Sequence, residues 1–233
     1  MKERIISIFD KYGIKIDEKQ ANQFVLYYNF LVEENKKYNL TAITEENEVC
    51  FKHFLDSVLA VSLLDKNASV IDVGTGAGFP GIPIKIVRPD LQVTLLDSLQ
   101  KRVNFLNQVI DLLKLEKITA IHARVEDFAV KNREKFDFSL SRAVASTNTL
   151  SEYLIPLVKI GGKIIMYKSN KLDDELKISQ NAITLLGGKI QEIKSFEIKE
   201  ESATRKLLII NKIKNTPIKY PRGKNLPKTN PLI

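Results

Sequence analysis

The 233-residue sequence is poor in the residues that make covalent or metal staples. Its single cysteine, Cys50, excludes an internal disulfide and a cysteine-based metal cage. His53 and His122 are the only histidines, which argues against a histidine-rich metal site, so no metal is expected. No run of about 18 apolar residues occurs, and no membrane-spanning helix or membrane partner is expected. The segment Met1 to Asp10 is charged and lacks the apolar core of a signal peptide, so the expected location is the cytoplasm.

What is present is the mix of an ordinary globular chain, 44% hydrophobic and 27% charged. The length suits one α/β domain with an extension better than two domains. Net charge is +8, and much of the excess is local: Lys212 to Ile233 hold six Lys/Arg and no acid. Such a segment suits a polyanion such as nucleic acid; a solvated, disordered basic tail is the competing reading. Thr216 to Ile233 also carry four of the eight prolines, and an irregular course is expected there.

Hydrophobic spacing divides the chain. Residues 1–66 read as a helical extension. Asp17 with Gln20 resembles a capping box, and Ala21, Phe24, Val25, Tyr28, Leu31 and Val32 recur at helical spacing. Thr44, followed by Glu45, Glu46 and Glu48, looks like a second helix start, running through His53 and Asp56 toward Leu64. From residue 67 to 213 strands and helices alternate. Strands are expected at Ser69–Val73, Gln92–Asp97, Ile118–Ala123, Phe136–Leu140 and Lys163–Lys168, the last entered through a turn at Gly161-Gly162. Helices are expected at Gly81–Val87, Gln100–Leu113, Leu150–Val158 and Leu172–Leu186, and a closing hairpin at Lys189–Ile198 and Lys206–Ile213. This alternation predicts a mostly parallel sheet with helices on both faces. Residues 214–233 form the basic, proline-containing tail.

The strongest local signal is Val70-Ile71-Asp72-Val73-Gly74-Thr75-Gly76-Ala77-Gly78-Phe79-Pro80-Gly81. A buried strand ends in an acid and then in alternate glycines, which permit positive φ and close approach of a ligand. In such folds the ligand lies beyond the carboxyl ends of the strands. Gly76 to Gly81 match the dinucleotide pattern G-x-G-x-x-G, which alone is weak. Asp72 to Gly78 match D-x-G-x-G-x-G, similar to the first motif of class I S-adenosylmethionine methyltransferases. Asp97, ending the second strand, could take both ribose hydroxyls of either ligand, or cap the helix starting near Leu99. A dinucleotide fold usually adds a second mononucleotide half, whereas this chain has room only for a closing hairpin.

The match then becomes specific. Asn39-Leu40-Thr41-Ala42, His53-Phe54-Leu55-Asp56-Ser57, Asp72 to Pro83, Asp97-Ser98-Leu99-Gln100-Lys101-Arg102, Arg124-Val125-Glu126, Ser141-Arg142-Ala143-Val144 and Tyr220-Pro221-Arg222-Gly223 occur in order. Over nearly its whole length the chain resembles the glucose-inhibited division protein B family, small-subunit ribosomal RNA guanine-N7 methyltransferases. The resemblance implies a class I fold, a Rossmann-like seven-stranded sheet with a C-terminal antiparallel hairpin and an N-terminal helical extension. It implies S-adenosyl-L-methionine as cofactor, and cofactor contacts at Gly74, Gly76, Gly78, Phe79, Asp97, Val125, Glu126 and Arg142. The implied substrate is 16S ribosomal RNA or the small ribosomal subunit, and a monomer is expected. Lys168-Ser169 stands where many relatives have Lys-Gly.

Arg142, His53, Asp56 and Lys168 are the candidate substrate-site residues, with no catalytic assignment. Each has a plainer reading: His53 as a packing residue with Asp56 as its partner, Arg142 in a surface ion pair worth little. Guanine N7 carries a lone pair and no proton, so in-line methyl transfer there needs positioning and not a base. No Asn/Asp-Pro-Pro-aromatic run follows the fourth strand, and Cys50 lies away from strand ends, which argues against amino-directed adenine and pyrimidine-C5 enzymes. Lys101, Arg102 and the tail could neutralise phosphates, and Tyr220 could stack on an unpaired base. The alternatives are a NAD-binding oxidoreductase, resting on the glycine match alone, a non-catalytic RNA-binding assembly factor, and a small-molecule methyltransferase, disfavoured by the basic tail.

Overall fold

The computed structural model describes residues 1–142, 145–169 and 172–233. Its centre is a seven-stranded sheet in the order β3-β2-β1-β4-β5-β7-β6. Strands β1 (Ser69–Val73), β2 (Gln92–Asp97), β3 (Ile118–His122), β4 (Phe136–Arg142) and β5 (Val158–Lys168) are parallel. β6 (Gly188–Ile198) and β7 (Ala203–Lys212) form an antiparallel hairpin whose β7 pairs antiparallel with β5. The chain order turns back between β1 and β4, so the carboxyl ends of both strands open onto one crevice, where such sheets bind ligands.

Helices α1 (Lys2–Lys11) and α2 (Glu18–Tyr38) form the extension, and α5 (Gly81–Val87) and α6 (Gln100–Leu112) follow β1 and β2. Between them α3 (Glu46–Glu48), a π-helical segment Val49–Leu55 and α4 (Asp56–Val58) run on without a break. The capping box at the start of α2 is present: Gln20 N–H donates to Asp17 Oδ1 at 2.7 Å, and Asp17 N–H donates to Gln20 Oε1 at 2.9 Å. α3 starts one residue later than Thr44 suggests, because Glu45 accepts from Glu48 N–H at 2.8 Å.

α2 does more than bury an apolar stripe. Gln20 Nε2 donates to Ile86 O at 2.8 Å, and Gln23 Nε2 to Leu113 O at 2.8 Å. These two side chains satisfy carbonyls at the ends of α5 and α6 that have no intrahelical donor. Phe9, Phe24, Tyr27 and Phe54 are fully buried and join the extension to the β1 and β2 side chains in one core. Buried aromatic pairs of this kind, Phe9 with Phe24 at 5.2 Å among them, add about 1 kcal/mol each beyond their area.

On the other face lie α7 (Val125–Lys131), α8 (Thr147–Leu154) and α9 (Leu172–Leu185). α7 falls between the third and fourth expected strands, where the sequence predicts no element: its single two-turn apolar face, Val125 and Ala129, is too short to show a period. β5 begins at Val158, so Gly161-Gly162 lie inside the strand, where a Cβ on Gly162 would clash with Asp137 O. Among the described residues no helix is long and apolar enough to cross a membrane.

Candidate active site

Two cavities open side by side at the carboxyl ends of the strands, and Ala145 lines both. The first, about 320 Å³, is walled by Gly74 after β1, Asp97 and Ser98 after β2, and Arg124, Val125 and Glu126 at the start of α7. Tyr153, Asn225 and Lys228 complete it. Val125 and Glu126 are 9% and 7% exposed. Asp97, 3% exposed, accepts from Gly76 N–H at 2.9 Å and from Leu99 N–H at 3.0 Å. It therefore ties the turn before α6 to the glycine loop, while its third contact, Arg102 at 3.4 Å, is long enough to leave acceptor capacity free.

The glycine loop has two faces. Gly74 lines the cavity, and Gly76, at φ +62°, would carry a Cβ into open space. Gly78, at φ +101°, faces the extension: a Cβ there would stand 2.5 Å from Ile82 Cδ1 and 2.7 Å from the Tyr27 hydroxyl. That hydroxyl donates to Ala77 O. Phe79 also points into the extension, stacked on His53 at 4.4 Å with the Arg142 guanidinium 5.0 Å from its centroid. Beneath the loop, Asp72 Oδ2 accepts from the Thr75 hydroxyl at 2.6 Å and Gly81 N–H at 2.8 Å. Its Oδ1 is buried with no partner among the described residues, and burial pushes the carboxyl up to about 6 against those two bonds.

The second cavity, about 440 Å³, is lined by Lys52, His53, Asp56, Arg142, Tyr167, Lys168, Glu175, Arg205 and Lys206, with Ile43, Ala145 and Ser169. All four sequence-derived substrate-site candidates meet here. Arg142 is the hub. Its Nη1 donates to Asp56 Oδ2 at 2.9 Å and Lys52 O at 3.1 Å, and its Nη2 to His53 Nδ1 at 3.2 Å. His53 Nδ1 is thereby the acceptor, so the ring proton sits on Nε2 and donates to Thr41 Oγ1 at 2.9 Å. Burial, reinforced by Arg142, pushes His53 down to about 3. Asp56 is pulled down by Arg142 and by Arg205, 3.3 Å from its Oδ1, yet burial wins and its carboxyl titrates above the usual range.

Lys168 reaches Glu175 Oε2 at 2.7 Å and Ala145 O at 3.1 Å, and burial holds its ammonium below the usual lysine range. Burial pushes Glu175 up, but the bonds from Lys168 and Thr147 outweigh it and hold this carboxyl below its ordinary value. Cys50 is 1% exposed with its thiol pushed up to about 12 by burial, so it is no nucleophile. Ala143 and Val144, part of the family-like run after β4, lie outside the described residues.

The tail departs from expectation. Tyr220 is 6% exposed and belongs to the buried apolar cluster on this side of the sheet, so its ring is not available to stack on a base. Arg222 pairs with the buried Glu152, Nε to Oε1 at 2.9 Å and Nη2 to Oε2 at 2.7 Å, and Asn148 Nδ2 donates to Leu232 O at 2.9 Å. The short helix α10 (Leu226–Thr229) then brings Lys228, with Asn225 before it, to the first cavity. The sequence carried no periodic signal for Glu175, Arg205, Asn225 or Lys228, because tertiary folding alone brings them to the crevice. The β5–β7 register does this for Arg205: Lys168 pairs with Lys206, so Arg205 lies beside the strand end that carries Lys168.

Comparison with known proteins identifies the family and the fold. Residues 20–207 match the family model for rRNA small subunit methyltransferase G. Ribosomal RNA small subunit methyltransferase G of Alkaliphilus metalliredigens is 49% identical over 224 residues, 94% of this chain and 94% of that protein. The protein of the same name from Acetivibrio thermocellus is 47% identical, covering 95% of this chain and 92% of its own. Among solved structures, P. horikoshii TYW2 in complex with MeSAdo aligns over 68% of this chain and 62% of its own, with TM-score 0.56 at 16% identity. Precorrin-6y C5,15-methyltransferase of Geobacter metallireducens aligns over 68% and 87%, with TM-score 0.51 at 13% identity. At such identities the structural likeness speaks for the fold, a class I methyltransferase fold with an N-terminal helical extension. The family model and the close relatives speak for kinship: the chain belongs to the rRNA small subunit methyltransferase G family.

Proposed function

We propose that this protein methylates N7 of a guanine in 16S ribosomal RNA, with S-adenosyl-L-methionine as donor. The observation that carries the reading is the pair of adjoining cavities: a glycine-and-carboxylate cavity beyond β1 to β3, and a cationic one beyond β4 and β5. Family membership supports the RNA substrate. Neither a NAD-binding nor a non-catalytic reading has comparable support.

The donor fits the residues present. Asp97 would accept from the ribose hydroxyls. Val125 and Glu126 would flank the adenine, apolar surface on one side and an acceptor for an amino group on the other. Gly74 and Gly76 would let the backbone approach the amino acid portion, and the unpartnered Oδ1 of Asp72 would balance its ammonium charge. When bound, the donor supplies a methyl group activated by a sulfonium leaving group.

The remaining work falls to the chain. Guanine N7 has no proton to lose, so positioning and electrostatics suffice. Neutral His53 and the twice-paired Asp56 suit this: they fix Arg142 and the wall of the cavity and shuttle no proton. Lys52, Arg205 and Lys206 at the rim would hold backbone phosphates. The target guanine must be unstacked to enter. The proposed place of action is the cytoplasm, and the proposed active form is a monomer divided into the extension 1–66, the methyltransferase domain 67–213 and the tail 214–233. Incubating the pure protein with tritium-labelled donor and small-subunit RNA tests the reading: label recovered as 7-methylguanine is expected, and unlabelled RNA under saturating donor would refute it.

A further inference from the structure

The second cavity contains two carboxylates that are bonded differently. Both oxygens of Asp56 are engaged by arginines, Oδ2 by Arg142 at 2.9 Å and Oδ1 by Arg205 at 3.3 Å. Glu175 bonds through one oxygen only. Its Oε2 receives Thr147 N–H at 2.8 Å, the Thr147 hydroxyl at 2.5 Å and the Lys168 ammonium at 2.7 Å. Among the described residues no hydrogen bond falls on Oε1, although Glu175 lines the cavity with a side chain 28% exposed. Three donors thus lock the carboxylate from one side and leave its other oxygen to whatever enters.

An acceptor-only group held in this way selects for donors. Guanine presents two adjacent donors, N1–H and N2–H₂, along its Watson–Crick edge, whereas adenine sets its one donor there, the N6 amino group, beside a bare N1 that a carboxylate repels. Guanine's N7 lies across the ring system from that edge, so a base that offers N7 toward the first cavity turns N1 and N2 away from it. We infer that Glu175 is the specificity-determining residue of the site, accepting hydrogen bonds through Oε1 from the N1–H and N2–H₂ edge of the target guanine; this rests on the guanine-N7 methyl transfer proposed above. Lys168 and Thr147 are its positioning residues. A base that enters without a donor for this oxygen displaces its water and leaves it unpaired, and is rejected by the cost of the missing bond.

Inosine separates the contact from the chemistry, because it keeps N7 and N1–H and lacks only the N2 amino group. Small subunits are reconstituted with guanine or inosine at the methylated position, and kcat/KM is measured for each. Losing one hydrogen bond to a charged acceptor should lower the wild-type value about 10- to 100-fold with inosine. In Glu175→Gln the amide oxygen stays with Lys168 and Thr147 and turns an NH₂ donor to the cavity. Its kcat/KM with guanine should fall at least about 10-fold, its inosine penalty should shrink to within about 2-fold, and its donor affinity should be unchanged. Glu175→Asp, which keeps the charge and retracts the free oxygen, is the second variant and should also lose most of the penalty. Equal wild-type rates on guanine and inosine, or a full penalty retained by either variant, would overturn the Glu175 contact alone. No wild-type methylation of the guanine RNA would overturn the methyl-transfer reading, and the contact with it.

Discussion

Arg222 closes a two-pronged ion pair on Glu152, whose side chain is completely buried, 70 residues earlier in the chain. Removing the guanidinium leaves a buried carboxylate with only the Arg222 N–H, so Arg222→Ala should cost about 3 kcal/mol of stability. Because the same tail brings Asn225 and Lys228 to the first cavity, donor affinity should fall as well, by roughly 10-fold. Urea unfolding and calorimetric titration with S-adenosylmethionine check both. Unchanged donor affinity in a destabilised variant would mean that the tail is a brace and no part of the donor site.

Asp72 is costly to the fold and, on this account, is retained for the ligand. Its folded value near 6 lies above the ordinary 3.8, so the folded state holds the proton longer than the unfolded one. Stability from this group is therefore greatest below about pH 4 and declines as pH rises to about 6, by an order of 2–3 kcal/mol. Asp72→Asn keeps an oxygen for Thr75 and Gly81 and carries no charge. It should be more stable than wild type at pH 7, by roughly 2 kcal/mol, and should bind donor at least about 10-fold more weakly. Denaturant midpoints at pH 4.5 and 7, with donor titration, decide the matter; full affinity would remove Asp72 from the ammonium site.

Gly76 and Gly78 should fail in different ways. Gly76→Val meets no neighbour at its Cβ but would stand where the proposed donor approaches the loop, so donor binding should be lost while thermal stability falls only by the positive-φ cost of about 1–2 kcal/mol. Gly78→Ala drives a methyl against Ile82 and Tyr27 and should destabilise by about 3 kcal/mol or more, loosening the extension. Melting and donor titration of both variants would show the contrast; matching profiles would contradict the two-faced loop.

His53 should remain neutral through the physiological range. Its folded value near 3 lies below the unfolded 6.5, so its contribution to stability is complete above about pH 6.5 and is lost as pH falls toward 3. The kcat/KM profile should then show no limb between pH 6 and 7 from this residue. Imidazole NMR shifts recorded from pH 5 to 8 test this, and a His53 titration inside that range would restore it as a candidate acid or base.

Much of the architecture was legible because it rests on local chemistry. β1 from Ser69, α5 from Gly81 and β2 to Asp97 are where strand alternation and the glycine loop predict them. The Asp17–Gln20 box announced α2. The tail was illegible for the opposite reason. Its prolines and lysines suggest a solvated segment, yet Lys212 is buried against Glu134 and Ile155 O, and Tyr220 fills a core position. Partners distant in sequence decide these fates, and no spacing rule names them. At the site, Arg142, His53, Asp56 and Lys168, the candidates named from the sequence, line one cavity, whereas Glu175 and Arg205 show no cue until the sheet is assembled.

The proposed reaction is methyl transfer to guanine N7 in the small-subunit RNA. Its most direct measurement is position-by-position mapping of 7-methylguanine in 16S ribosomal RNA from cells with and without this protein. One 7-methylguanine that disappears with the protein and returns when it is supplied is the expected result; an identical 7-methylguanine map in both cells would contradict the account.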